Sequence, residues 1–290
     1  MKTYRAFGLN FISDLEIPEF LSGSFPREAA DVEIFSGPVP QILNKDAEPK
    51  RLQARGNQFL MHIKNVARFW IEGGKRITYQ LDENCDLDNL RLFLLGSCIG
   101  ALMQQRGHIV LHGNAISFDG KTCQVFVGDR GAGKSTLAAW HFKKGAYILA
   151  DDICVIHFNE KGTPYVIPSF PQIKLWQESA DLLGIYTSTL RRIRPQDHKY
   201  ALPMNGQFGK DPLPLTDIIE INTKHVTDSD AIGVEKLHLL IRHSYRHHFV
   251  RMMGYEDAYS KQLIKLAGQV TIKRMNRITL ENSAGPMIEV

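Results

Sequence analysis

Hydrophobic positions along the first eighty-odd residues follow the short, alternating rhythm of strands. DVEIF at 31–35 and ARFWIEGGKRITYQL at 67–81 are rich in β-branched and aromatic residues. Gly73-Gly74 divides the second run and predicts a hairpin. Between the two runs, GPVPQILNKDAEPKRLQARGNQ at 37–58 is polar and carries prolines, which predicts a loop or irregular crossover. Residues 1–86 therefore read as a small β-rich N-terminal module. The rhythm then changes. LDNLRLFLLGSCIGALMQQ at 87–105 is apolar on every side in its centre and polar at both ends, the pattern of a buried helix, and Arg106-Gly107 stops it. HIVLHGNAISF and KTCQVFVG, joined by Asp119-Gly120, predict a second hairpin. STLAAWHFKK follows as a helix, with Lys143 and Lys144 at its C-terminal dipole and Gly145 beyond, and AYILA follows that as a short buried strand. Residues 87–290 form the second domain, and its tail at 269–290 predicts one or two further strands. There is no internal repeat.

Composition narrows the class without naming the partner. A chain of 290 residues with 43% hydrophobic content has enough apolar surface for one large or two ordinary cores, which excludes a disordered, collagenous or disulfide-stapled protein. With 35 Lys+Arg against 31 Asp+Glu, the charge is too mild to argue for a nucleic-acid partner. Cys85, Cys98, Cys123 and Cys154 are irregularly spaced, form no C-x-x-C pair, and read as reduced thiols. Arg5, Asp14, Glu16 and Glu19 break up the apolar positions of the first twenty residues, unlike an export signal. The longest apolar stretch, 92–103, is too short to cross a bilayer. The expectation is a cytoplasmic protein with no membrane partner.

The chemistry begins at Gly128-Asp129-Arg130-Gly131-Ala132-Gly133-Lys134-Ser135, which fits G-x-x-x-x-G-K-[ST]. Small residues let successive backbone N–H groups curl around phosphate oxygens, and the helix that follows adds unpaired N–H groups and a positive dipole end. In that reading Gly128, Asp129, Arg130, Gly131, Ala132, Gly133, Lys134, Ser135 and Thr136 cradle the nucleotide. Lys134 reaches the β and γ phosphates, and Ser135 offers its hydroxyl to Mg2+. The match lies between a predicted strand and a predicted helix, as the mechanism requires. One helix and one strand later come Asp151-Asp152, at the tip of a strand expected in the same sheet. Asp151 is assigned to the metal, directly or through water, and Asp152 to the proton of an attacking hydroxyl. The two roles are interchangeable at this stage.

Residues 111–156, LHGNAISFDGKTCQVFVGDRGAGKSTLAAWHFKKGAYILADDICVI, resemble the core of the HPr kinase/phosphorylase family. There a His-Gly pair precedes the P-loop by one hairpin and an Ala-Asp-Asp triplet follows it by one helix and one strand. Here these are His112-Gly113 and Ala150-Asp151-Asp152. The resemblance implies an α/β fold, a P-loop kinase domain of the HPr kinase/PEP carboxykinase-like type, and phosphorylation of a serine hydroxyl with ATP and Mg2+. PSFPQIKLWQES at 168–179 and LPLTDIIEIN at 213–222 resemble segments of stand-alone relatives, some of which phosphorylate the C-terminal serine of a lasso-peptide precursor. The glycine-rich second signature and the basic C-terminal helix of true HPr kinases are not found.

Other residues gain a candidate role from this frame. His112 would hydrogen-bond phosphate or Asp152, and otherwise serves as a structural histidine. Lys174 would offset phosphoryl charge or bind nucleotide, with Trp176 beside it as packing. Arg191, Arg192 and Lys199 lie in a basic, proline-broken stretch that suits a substrate loop for a peptide carboxylate and equally an ordinary solvated loop. Arg246 is a candidate phosphate contact; the surrounding HSYRHH lacks the spacing of a metal site. Asn222-Thr223-Lys224-His225 lacks the N-K-x-D order that reads guanine. The expected function is an ATP/Mg2+-dependent kinase acting on a serine hydroxyl of a peptide or protein, with homo-oligomerisation left open. The alternatives are a kinase of free serine or a sugar alcohol, and a nucleotide-gated binding module with weak ATPase activity.

Overall fold

The computed structural model describes residues 1–43, 50–194, 196–223 and 227–276. Contacts divide the chain into two units, Met1–Ile109 with Arg246–Lys261, and Val110–Tyr245 with Gln262–Val290.

Among the described residues the first unit is built on an eight-stranded sheet. Its strands are β1 (Lys2–Ala6), β2 (Leu9–Ser13), β3 (Leu21–Ser22), β4 (Val32–Ser36), β5 (Leu52–Arg55), β6 (Gln58–Ile63), β7 (Ala67–Glu72) and β8 (Arg76–Leu81), in the order β3-β1-β2-β4-β8-β7-β6-β5. β7 shows the period-two logic plainly: Ala67, Phe69 and Ile71 are fully buried, while Arg68, Trp70 and Glu72 face the other way. The glycine pair turns β7 into β8 with Glu72 opposite Arg76. β5 corrects the expectation of a loop. LQAR has no apolar rhythm of its own and becomes a strand by pairing with β6, Leu52 opposite Met61. Of the same segment, residues 44–49 lie outside the described residues.

The buried helical run forms as Leu87–Phe93, a wider-wound turn at Leu94–Cys98, and Ile99–Gln105. Asp86 caps it by accepting from the Asp88 N–H at 2.7 Å. Its end is fastened to the N-terminal sheet, Gln105 Nε2 donating to Ile71 O at 3.2 Å and Arg106 Nη1 to Gly74 O at 2.8 Å. These bonds explain why the division between units falls after Ile109 rather than after residue 86.

In the second unit the strands are β9 (Ile109–Leu111, whose first residue belongs to the other unit), β10 (Gly113–Ser117), β11 (Cys123–Val127), β12 (Tyr147–Asp151), β13 (Cys154–Phe158), β14 (Pro164–Ile167), β15 (Gln172–Trp176), β16 (Lys199–Pro203), β17 (Leu213–Asn222), β18 (Ser229–Asp230) and β19 (Thr271–Asn276). The large sheet runs β12-β10-β11-β17-β14-β13-β9, with β19 added to β17; β15 and β16 form a separate two-stranded ribbon. β10 is antiparallel to both β11 and β12, so the last two run in the same direction. β17 is parallel to β11, Val127 opposite Glu220. The carboxyl ends of β11, β12 and β17 therefore meet at one edge of the sheet, which is where an α/β sheet gathers its site. Of the expected C-terminal strands, β19 is present and residues 277–290 lie outside the described residues.

The cysteines are unpaired, and burial pushes the Cys123 thiol up to about 12, so it is not a reactive thiolate. No helix among the described residues is long and apolar enough to cross a membrane.

Candidate active site

β11 delivers the chain into the glycine loop at 128–133, and Lys134–Lys143 leaves it as a helix. Gly131 and Gly133 hold φ of +85° and +91°, values that favour glycine. A Cβ on Gly128 would lie 2.9 Å from the carbonyl oxygen of Ile221 on β17, so the loop can hug its neighbouring strand only with glycine there. Lys134 Nζ donates to Gly128 O at 2.8 Å and Asp129 O at 3.2 Å, drawing the loop around its own ammonium. Burial pushes that ammonium's pKa down, against the opposing pull of Asp152, Asp151 and Asp129. Thr136, in the first helical turn, shares a 2.8 Å hydrogen bond with Ser179.

β12 brings Asp151 to the same place. Asp151 is 3% exposed and pairs across the ladder with Asn114 of β10. One carboxylate oxygen accepts from Asn114 Nδ2 and, at 3.2 Å, from Ser135 Oγ; the other accepts from the Lys174 N–H at 2.7 Å. Burial raises its carboxyl pKa and the neighbouring Asp152 raises it further, with the Lys174 N–H opposing.

Asp152 begins the turn into β13 with φ of +75°, a conformation aspartate tolerates better than most residues. Its carboxylate accepts from Lys174 Nζ at 2.8 Å on one oxygen and meets His112 Nδ1 at 3.0 Å on the other. Burial alone would raise its pKa, but Lys174 and His112 outweigh that and hold it well below the usual carboxylate range. The side chain is still 27% exposed, so a hydroxyl can reach it. Lys174 is 6% exposed and committed to Asp152, whose charge keeps its ammonium raised despite burial. His112 is held from behind, its N–H donating to His243 O at 2.8 Å.

No family model matches the chain. No curated protein matches it either. Among solved structures the chain is similar to the Hpr(Ser) kinase/phosphatase from Coxiella burnetii, at 15% identity over 52% of this chain and 96% of that one, with a TM-score of 0.29. Geometric likeness that low carries no inference, and the side chains themselves must support any function.

The structure thus brings together Gly128, Lys134, Ser135, Asp151, Asp152, His112 and Lys174. Asp129 turns away to pair with Arg242 at 2.6 Å, and Arg130 is exposed at the loop tip. Lys199 lies on the ribbon, its ammonium 5.3 Å from the centre of the Trp176 ring. Arg191 Nη2 reaches Gln172 Oε1 at 3.4 Å, and Arg192 lies over Tyr200. Pro195, Lys224 and His225 lie outside the described residues. Arg246 belongs to the first unit, with φ of +46° and its guanidinium over Phe249. The histidines around it are split between two helices, Val234–His243 and His247–Met252, instead of sharing one.

Two participants were not singled out from sequence. Asn114 shows its role only once β10 and β12 are paired. Glu220, buried on β17, gathers His243 at 2.7 Å, Arg274 at 3.1 Å and Arg242 at 3.5 Å. Its signal was a lone acid in the apolar run IIEIN. Beside it, a cavity of about 140 Å3 opens between the glycine loop and the end of β17, lined by Asp129, Ala132, Asn222 and Arg242 among others.

Proposed function

We propose that the second unit is an ATP/Mg2+-dependent P-loop kinase that transfers the γ-phosphoryl group to a serine hydroxyl on a peptide or protein. The observation that supports this most is the 3.2 Å contact between Ser135 Oγ, at the head of the glycine-loop helix, and Asp151, with Asp152 beside it and partly exposed. The residues fit the ion. Ser135 and Asp151 offer hard oxygen donors, and among the described residues no group of three or more His, Cys, Asp or Glu surrounds a metal position. That sparse donor set suits magnesium, which binds through one or two carboxylates and keeps phosphate and water oxygens for the rest. When bound, the ion neutralises charge on the phosphate oxygens.

The chain's own residues supply the remaining work. Loop N–H groups and Lys134 hold the phosphates. The cavity beside β17, lined by Asp129 and Ala132 of the glycine loop, lies on the side away from Asp151, Asp152 and Lys174 and is where this reading places the nucleoside. Asp152 accepts a hydrogen bond from the attacking hydroxyl and aims it. With its pKa held low it is a weak base, which suffices because a loose phosphoryl transition state leaves the hydroxyl proton in place until late. His112 and Lys174 fix the carboxylate's orientation. A peptide serine, as in the lasso-precursor kinases the sequence resembles, is the acceptor class this reading favours. Incubating the protein with Mg-ATP and a library of serine-bearing peptides, then reading masses, tests it: gain of one phosphate on a serine supports the reading. Phosphate gained only by small metabolites, or by nothing, rejects it.

A further inference from the structure

Lys199 is a cation of this unit to which the fold gives no ion pair or hydrogen bond among the described residues. On the β15–β16 ribbon Trp176 lies opposite Lys199 and Lys174 opposite Ala201. Residues opposite one another, and residues two apart on one strand, share a face. Lys199 and Lys174 are therefore diagonal neighbours on the same face. That face is anchored at the acids, because Lys174 gives its backbone N–H to Asp151 and its ammonium to Asp152. The two lysines then diverge. Lys174 is spent on Asp152, whereas the half-buried Lys199 ammonium makes no ion pair or hydrogen bond among the described residues and rests near the Trp176 ring. A partly desolvated cation without an acid partner, next to an anion cradle, is completed by an anionic ligand. Burial lowers its pKa, while Asp151 and Asp152 pull the other way and Lys174 and Arg130 add to the lowering, which places its charge in the field of the same acids and of the loop tip.

We propose that Lys199 is a further catalytic residue, whose ammonium contacts the phosphoryl group during transfer while Trp176 positions it. This rests on the kinase reading above. In the step, the bond from the γ-phosphorus to the ADP oxygen breaks as the bond to the acceptor oxygen forms. The hydroxyl proton leaves through Asp152 to solvent, and Lys199 keeps its protons and forms no covalent bond. Its charge offsets the negative charge spread over the equatorial oxygens, a role less open to Lys174, whose ammonium is buried and paired with Asp152.

The test uses the whole chain and does not require the acceptor to be known. Binding of Mg-ADP is measured with and without aluminium fluoride, which mimics the phosphoryl group in flight, together with Mg-ATP hydrolysis with water as acceptor. For Lys199→Met, Mg-ADP affinity and the KM for ATP should stay within about 3-fold of the parent. kcat should fall by about 100-fold, the scale of losing one preorganised donor, and the affinity gained from aluminium fluoride should vanish. Lys199→Arg should recover kcat to within about 10-fold. Should the Met variant melt early, Lys199→Gln repeats the comparison with a polar neutral side chain. A neutral variant that hydrolyses ATP like the parent overturns the proposal, as does one that raises KM with kcat intact, which would make Lys199 a ground-state anchor. A parent protein that binds neither Mg-ADP nor Mg-ATP overturns the kinase reading itself, a different observation from either of these.

Discussion

Gly113 and Asp152 show how single residues carry the arrangement. A Cβ at Gly113 would sit 2.4 Å from the Phe126 carbonyl oxygen, on the strand that feeds the glycine loop. Gly113→Ala should therefore destabilise the protein by about 1–3 kcal/mol, the usual scale of overpacking, seen as a lower denaturation midpoint. The glycine was visible in the sequence as half of a His-Gly pair; its reason was not, because the clash exists only once β10 and β11 are in register. Asp152→Asn keeps the size of the side chain and removes the charge that Lys174 and His112 surround. kcat should drop by about 100-fold or more while Mg-nucleotide affinity holds, read by titration and steady-state rates on the same preparation. Equal loss of affinity and rate would instead place Asp152 at the metal. Lys134 was legible from motif alone, since spacing within one loop needs no knowledge of the fold. The tie between Lys174 and Asp152 was not, because it spans 22 positions and depends on the ribbon folding over the strand tip.

Elements explain why these residues meet, and two of them carry their own tests. β17 places the buried Glu220 among His243, Arg242 and Arg274. Glu220→Ala would leave the buried His243 ring and the partly exposed Arg274 and Arg242 without their shared acceptor and should cost about 1–3 kcal/mol in urea denaturation. The helix Lys134–Lys143 carries His141 against the rings of Phe118 and Trp140, and burial pushes its pKa down to about 4. In the unfolded chain the same imidazole titrates near 6.5, so between these values the unfolded state binds a proton that the folded state refuses. Its contribution to stability is therefore complete above about pH 6.5 and is lost progressively as pH falls toward 4. His141→Phe should flatten that part of the stability curve, and an unchanged slope would assign it to other groups. At this scale the alternation of β7, the hairpin of β10 and β11, and the short strand β12 could be read from sequence, because each carries its own period or turn. β5 could not, since its four residues are strand-like only in partnership with β6.

Across the whole molecule, the described residues commit one large sheet to each of two units, and the proposed catalysis belongs to the second. The boundary was displaced from the sequence expectation because a helix apolar on every side does not announce which sheet it will cover. Its bonds to Ile71 and Gly74 place it with the N-terminal strands. What the second unit owes to topology is simpler: antiparallel β10 between β11 and β12 brings the glycine loop and the paired acids to one edge. Titration calorimetry of Mg-ATP, with and without chelator, on the parent protein and on Lys134→Ala and Asp151→Asn tests that convergence most directly. Magnesium-dependent binding is expected in the parent, with a loss of at least about 10-fold in affinity in each variant and little magnesium dependence remaining in Asp151→Asn. Nucleotide binding in the parent that is absent, or that is indifferent both to magnesium and to these two substitutions, would contradict it.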